Sequence, residues 1–304
     1  MSQFILHHFD ISPFAEKARK VFGLKSIEWQ SVQIPMIMPK PALMPLTGGY
    51  RKTPVLQIGA DIFCDSRRIL REIDLRVPKP TLFPSGNEGL VWALSEWSDK
   101  AFFESGAALS MGVNADIPED VLKDRMTFFN FMDFDRLDQD IPHLYAQLRG
   151  HADLVDRQLA DGRRFVLGEE PGLADINAWF VIWMVRANVP PVEDMFAPFR
   201  CMHAWEERMR EMGEGQRQEL DPEAALDIAR DSEPSHGEGI DPDDPLGLRA
   251  GERVAVTPDD YGKVPVAGQL VTLSLNEIAI RRTDPRVGEV TVHFPRIGYR
   301  VERA

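Results

Sequence analysis

Three regions of different periodicity predict the fold class. They are an open α/β domain over residues 1–84, an all-α domain over residues 85–230, and a small all-β, barrel-like module over residues 251–304 reached through an acidic linker at 231–250. The first rests on strand-like runs combined with amphipathic helices. The second rests on apolar positions three and four apart, and the third on short alternating runs separated by turn residues.

Taken in order, QFILHHF (3–9) reads as a strand. In DISPFAEKARKVFGL, Ser12 ahead of Pro13 combines an N-cap with proline at the first helical position, and Phe14, Ala18, Val21 and Phe22 supply the apolar face. IEWQSVQI (27–34) reads as a second strand, followed by a connector rich in Pro and Met. Two further strands flank the turn at Gly59-Ala60-Asp61, and SRRILREIDLRV continues as a helix. The order βαβ, link, ββα predicts an open sheet with helices on its faces. Beyond it, GLVWALSEWSDKAFFE and YAQLRGHADLVDRQLADG carry helical spacing. ADINAWFVIWMVRAN is apolar nearly all round, which predicts a buried central helix. DSEPSHGEGIDPDDPLG is acidic, rich in Gly and Pro and free of Lys and Arg, and reads as an exposed linker. ERVAVTP, GQLVTLSL, EIAIRRT, GEVTVHF and GYRVERA then alternate as strands.

Composition narrows the function classes. With 43% hydrophobic and 27% charged residues the chain reads as soluble and globular, and a net charge of −13 argues against nucleic acid or an anionic membrane as partner. Arg281, Arg282, Arg286, Arg296, Arg300 and Arg303 make the last module locally basic, but aromatic interleaving is limited to Phe294 and Tyr299, so no nucleic-acid partner is expected. The N-terminal residues show no basic and apolar signal pattern, and the run 176–185 is too short to span a bilayer, so a cytoplasmic location and no membrane partner are expected. Two cysteines, Cys64 and Cys201, make neither a disulfide framework nor a metal-ligand spacing; no metal is expected.

The stretch YRKTPVLQIGADIFCDS (50–66) carries the chemistry. Pro54 must open its strand or lie on an edge, since inside a central strand it would remove a ladder hydrogen bond. A cis Thr53–Pro54 bond would turn the Thr53 backbone outward to pair with an extended ligand; an ordinary strand-opening proline is the alternative. Asp65-Ser66 stands where a strand enters a helix. There the pair either caps the helix or reads a ligand, Ser66 donating to a carboxylate and Asp65 accepting from an ammonium.

A strand, SPF opening a helix, TPVL followed by DS, and then an all-helical region together resemble the glutathione transferase superfamily over about the first 220 residues. The resemblance implies a thioredoxin-like N-terminal domain and a helical C-terminal domain, with glutathione as co-substrate, a small electrophile as second substrate and a homodimer. It further implies that Thr53, beside Pro54, holds the cysteinyl backbone of glutathione and that Asp65 and Ser66 hold its γ-glutamyl end. Ser12 stands where serine-type members carry the hydroxyl that stabilises the thiolate; a plain N-cap would look the same in sequence. Lys40, Arg51 and Lys52 are the cations available for the glycyl carboxylate, and Lys52 is favoured by its place in the motif. Trp97, Phe102 and Phe103 are candidates for lining the electrophile's site or for core. The absence of cysteine near Ser12 argues against disulfide reduction, and alternation buries Cys64 behind the sheet.

Two features depart from the family pattern. The Ser/Thr-x-x-Asp box that often opens the central helix is here Gly172-Leu173-Ala174-Asp175, and the β module is additional. The function expected is therefore a transferase activating the glutathione thiolate for attack on a small electrophile, with a lyase or dehalogenase as variants of the same chemistry. The alternative is a non-catalytic scaffold that binds a protein partner through the β module.

Overall fold

The computed structural model describes residues 3–84, 86–114, 116–190 and 192–304, so the expected domain boundary at residue 85 lies outside the described residues. The chain divides into two compact units. One comprises the residues up to Ala18, Ile27–Leu75 and Gln216–Ala304; the other comprises Arg19–Ser26 and Arg76–Gly215.

The first unit is built on one sheet. Strand β1 (Phe4–His8) leads through helix α1 (Pro13–Leu24) to β2 (Glu28–Gln33), which lies parallel to β1. After the short helix α2 (Met44–Thr47), β3 (Val55–Ile58) and β4 (Asp61–Cys64) form a hairpin, and β3 runs antiparallel to β1. Gly59 turns that hairpin at φ 62°, in the left-handed region that glycine enters without a Cβ clash. Helix α3 (Ser66–Arg76) follows directly. This is the thioredoxin-like core: four strands in the order β4-β3-β1-β2.

Both edges of that core are covered by chain that returns much later. The second unit comes first. It contains α4 (Glu88–Trp97), a π-helical turn (Ser98–Phe102), α5 (Phe103–Val113), α6 (Glu119–Phe128), α7 (Leu137–Gln158), α8 (Leu173–Asn188), α9 (Val192–Phe196) and α10 (Arg200–Glu211). Helix α8 is the buried centre, packed by α4, α5 and α10. Its N-terminus explains the missing box hydroxyl. A Cβ at Gly172 would stand 2.8 Å from both the Leu82 carbonyl oxygen and Pro84 Cδ, so no side chain fits there. Asp175 serves the whole cap, accepting from the N–H groups of Val166 (2.7 Å) and Gly172 (3.0 Å) and from the Trp205 indole (2.8 Å). Burial raises its carboxyl to about 6 against the pull of those donors. Among the described residues no helix is long and apolar enough to cross a membrane.

From Gln216 the chain rejoins the first sheet. Strand β5 (Gln216–Glu219) pairs parallel to β2, and α11 (Pro222–Arg230), capped by Asp221, buries Ala225, Leu226 and Ala229 in the same core as Val55 and Ile62. The second unit therefore ends at Gly215, and α11, inside the span 85–230 expected to be one all-α domain, belongs to the first unit; QRQE has no apolar residue to mark it as a strand. The acidic segment is exposed in large part but does not run free. Ser235 donates to Asp61, the Glu238 N–H donates to Thr272 Oγ1, and β6 (Gly239–Ile240) pairs parallel to β8 (Val266–Leu273). Strands β7 (Arg253–Pro258), β8, β9 (Glu277–Asp284), β10 (Gly288–Pro295) and β11 (Tyr299–Arg303) then extend the sheet, in the order β11-β7-β8-β9-β10-β4. The barrel-like closure expected for residues 251–304 does not form, because the second edge of β10 is taken by β4.

The β10–β4 seam is parallel, through Thr291↔Asp61, Val292↔Ile62 and His293↔Phe63. On one face Val290, Val292 and Phe294 are fully buried, each contributing about 1.5–3 kcal/mol relative to exposure. On the other His293 bridges two carboxylates, Nδ1 to Glu277 Oε1 at 2.5 Å and Nε2 to Asp61 Oδ1 at 3.1 Å. Its ring stacks on Phe63 at 4.4 Å. Arg68 completes the cluster with 2.9 Å bonds to Glu72 and Glu277. Burial alone would lower the His293 pKa, but the two acceptors hold it above its ordinary 6.5. Burial would likewise raise the carboxyls, yet the His293 bonds and charge, with Ser235 at Asp61 and Arg68 at Glu277, hold them below 3.8 and 4.5 respectively.

The signs define a stability window. The imidazolium's contribution is complete below about 6.5 and is lost as pH rises through its raised value. The carboxylates' contribution is complete above about 4.5 and is lost as pH falls through their depressed values. The melting-temperature loss caused by His293→Gln should therefore be largest between about pH 4.5 and 6.5 and shrink on either side, as read by thermal melts of both proteins across pH. In the second unit, Asp175→Ala leaves three buried donors without their acceptor and should cost about 3 kcal/mol or more by denaturant titration.

Candidate functional site

The register brings three chain turns to one end of the sheet. His7 lies opposite Val55, and Val55 lies opposite Cys64. The turn after β1, the Thr53-Pro54 entry to β3 and the Asp65-Ser66 exit from β4 therefore share the same edge of the structure.

Ser12 opens α1 as its N-cap. Its N–H donates to the Phe9 carbonyl, its carbonyl accepts from the Glu16 N–H at 3.1 Å, and its Oγ accepts from the Ala15 N–H at 3.3 Å. A hydroxyl that accepts in this way still keeps its own proton to donate. The side chain is buried. The two histidines nearby are turned to other partners. His7 bonds Gln57 at 2.8 Å, and burial lowers it to about 4 despite that bond, so it is neutral near pH 7. His8 bonds Ser31 at 3.1 Å and tilts against Trp29.

The Thr53–Pro54 peptide is cis and Pro54 is buried. Lys40 Nζ donates to Thr53 Oγ1 and to the Arg51 carbonyl, both at 3.0 Å, which holds this approach to β3 in place. Asp65 has φ 75°, a left-handed conformation that aspartate tolerates through local side-chain bonding. It caps α3: its carbonyl accepts from the Ile69 N–H and its Oδ1 from the Arg67 N–H at 2.9 Å. Ser66 is the first, buried residue of α3. Burial raises the Asp65 pKa, with the Lys52 charge and the Arg67 N–H opposing.

The residues that sequence reasoning missed come from the far end of the chain. The Tyr299 hydroxyl, on β11, donates to Asp65 Oδ2 at 3.0 Å and stands 3.4 Å from the Tyr50 hydroxyl. Burial first, and the nearby Asp65 charge second, hold both phenols well above their ordinary value, so both are donors. Lys52 is buried and paired with Asp260, and its ammonium lies 4.2 Å from the centre of the Tyr261 ring. Asp260 and Tyr261 belong to the turn between β7 and β8. Nothing local in DDYG marks them for this role, because the contact spans about 208 residues.

Cys64 is buried in the core with its thiol raised well above the ordinary range by burial, then by Asp65. Phe102 and Phe103 are buried in the helical unit, and Trp97 stacks on Phe102 while donating to His151 at 3.0 Å. Among the described residues no group of three or more His, Cys, Asp or Glu is arranged to hold a metal ion.

Residues 6–81 match the family model for the glutathione S-transferase N-terminal domain, and residues 134–208 match that for the C-terminal domain. The crystal structure of a GST-like protein from Pseudomonas syringae is 34% identical with a TM-score of 0.82, covering 99% of this chain and 100% of that one, so the similarity runs through the C-terminal strands. A glutathione S-transferase from Rhodospirillum rubrum is similar in fold at 20% identity and a TM-score of 0.53, over 68% of this chain and 88% of that one. The tau class enzyme from mango, Mangifera indica, is 17% identical with a TM-score of 0.52, over 75% and 97%. No curated protein sequence matches the chain.

Tyr299→Phe removes a donor to a buried carboxylate. It should cost about 1–3 kcal/mol by urea titration and raise the Asp65 pKa further, as followed by carboxyl-carbon NMR.

Proposed function

The chain belongs to the glutathione transferase superfamily, and on that premise we propose that it activates the thiol of glutathione for attack on a small electrophile. Glutathione supplies the sulfur nucleophile; the chain's own residues bind the peptide and hold its thiolate. Ser12 donates its hydroxyl proton to the sulfur in a hydrogen bond, and the dipole at the start of α1 adds a favourable field. The Thr53 backbone pairs with the cysteinyl unit in the manner of an added strand. Asp65 accepts from the γ-glutamyl ammonium, and Ser66, in the first turn of α3, donates to the adjoining carboxylate. Lys52 is the cation assigned to the glycyl end. A homodimer working in the cytoplasm is part of the same reading. A leaving group on the electrophile would make the reaction a dehalogenation or ether cleavage without changing these roles.

The observation that carries the reading is the shared sheet end. The His7↔Val55↔Cys64 register brings a donor at one helix N-terminus and an acid at another to the two sides of the β3 entry. The scaffold alternative draws support from a different observation: Tyr299 and Asp260, both from the added strands, already engage Asp65 and Lys52.

Calorimetric titration of reduced glutathione, together with turnover on aryl halide, epoxide and enone electrophiles, separates the two. Asp65→Ala should abolish measurable binding. Ser12→Ala should retain binding but lower turnover on the order of 100-fold and raise the bound thiol's pKa. Absence of binding of any γ-glutamyl thiol peptide by the unmodified protein would remove the transferase reading, and turnover unchanged in Ser12→Ala would remove Ser12 from it.

A further inference from the structure

We propose that Asp260 sets the selectivity of this site at the peptide's C-terminal end, directing it toward a γ-glutamyl thiol peptide whose terminal carboxylate is masked as an amide. The inference rests on the transferase reading above and deepens it. Lys52, the cation assigned to that end, carries its own carboxylate in the Asp260 pair.

Three features make that pair a built element of the site. The Lys52 side chain is only 9% exposed while that of Asp260 is 39% exposed, so the cation is withdrawn from water and the acid reaches it from the surface side. The Tyr261 ring lies beneath the same ammonium, a second attraction from the adjoining residue. The turn that presents both is anchored at its start: the Asp259 N–H donates to the Gly298 carbonyl at 3.0 Å, and Pro258 is in register with Tyr299. The strand carrying Tyr299 to Asp65 is therefore the strand that positions the Asp260 turn.

A free terminal carboxylate reaching Lys52 has to displace Asp260 or share the ammonium with it at close range, where two carboxylates repel. A terminal amide has neither cost. It leaves the Lys52–Asp260 pair intact, and its N–H groups are donors of the kind an aspartate oxygen accepts. Lys40 does not remove the argument, since its ammonium is held on Thr53 Oγ1 and the Arg51 carbonyl.

The test is a two-by-two calorimetric comparison of glutathione and its glycine amide on the unmodified protein and on Asp260→Asn. Asp259→Asn controls for the loop's charge, and thermal melts confirm that each variant is folded. The unmodified protein should bind the amide at least as tightly as glutathione. Asp260→Asn should tighten glutathione about five- to tenfold while leaving the amide within about twofold, and Asp259→Asn should leave the ratio unmoved. Asp260→Ser should reproduce the Asp260→Asn ratio. The same preference for glutathione in the unmodified protein and in Asp260→Asn overturns the inference alone, and so does weaker glutathione binding by a folded Asp260→Asn. Neither peptide bound by any of the proteins overturns the transferase reading and this inference with it.

Discussion

Strand β10 lies parallel beside β4, and the buried His293 at that seam bonds carboxylates from two strands, Asp61 on β4 and Glu277 on β9. The rest of the first unit depends on this join. A four-stranded thioredoxin-like sheet that ended at β4 would expose an unpaired edge with an acid on it. Here the edge is hydrogen-bonded and the acid is bridged through a buried imidazolium to Glu277. Arg68, reaching in from α3, adds a second positive charge between Glu277 and Glu72. A cluster of this kind is costly to desolvate and contributes mainly by admitting one register. Slipping β10 by one residue would turn His293 to the other face and bury unpaired carboxylates.

The site inherits its geometry from that join. With β10 locked to β4, β9, β8 and β7 follow in order, and β11 pairs back on β7. That path ends with Tyr299 on Asp65 and the β7–β8 turn on Lys52. Asp65 and Lys52 are thus contacted by the protein's own C-terminal strands. The same strands serve as structure, as cover for a sheet edge and as part of the surroundings of Asp65 and Lys52.

Much of this was legible in the sequence because it is written in short-range chemistry. Ser12-Pro13 marks a helix start by capping and by proline's fixed φ, the turn at Gly59 marks a hairpin, and ADINAWFVIWMVRAN marks a buried helix because no face of it is polar. Gly172 shows where short-range reading stops. The sequence places a glycine where a hydroxyl is usual, and the reason is a non-local carbonyl, that of Leu82, too near for any side chain. QRQE at 216–219 is similar: a strand of four polar residues held by backbone pairing with β2 has no periodicity to read.

The sequence by itself determined the family resemblance, carried by SPF, TPVL and DS together, and the strands, turns and helices of the first two regions, which follow from local caps, turns and alternation. Only the tertiary structure decided that the C-terminal strands extend the first sheet in place of closing a barrel, and that Tyr299 and Asp260 meet Asp65 and Lys52. Alternation specifies which face of a strand is buried but carries no information about which edge it will pair with. That choice is made by non-local complementarity, here by His293 finding a carboxylate on each side.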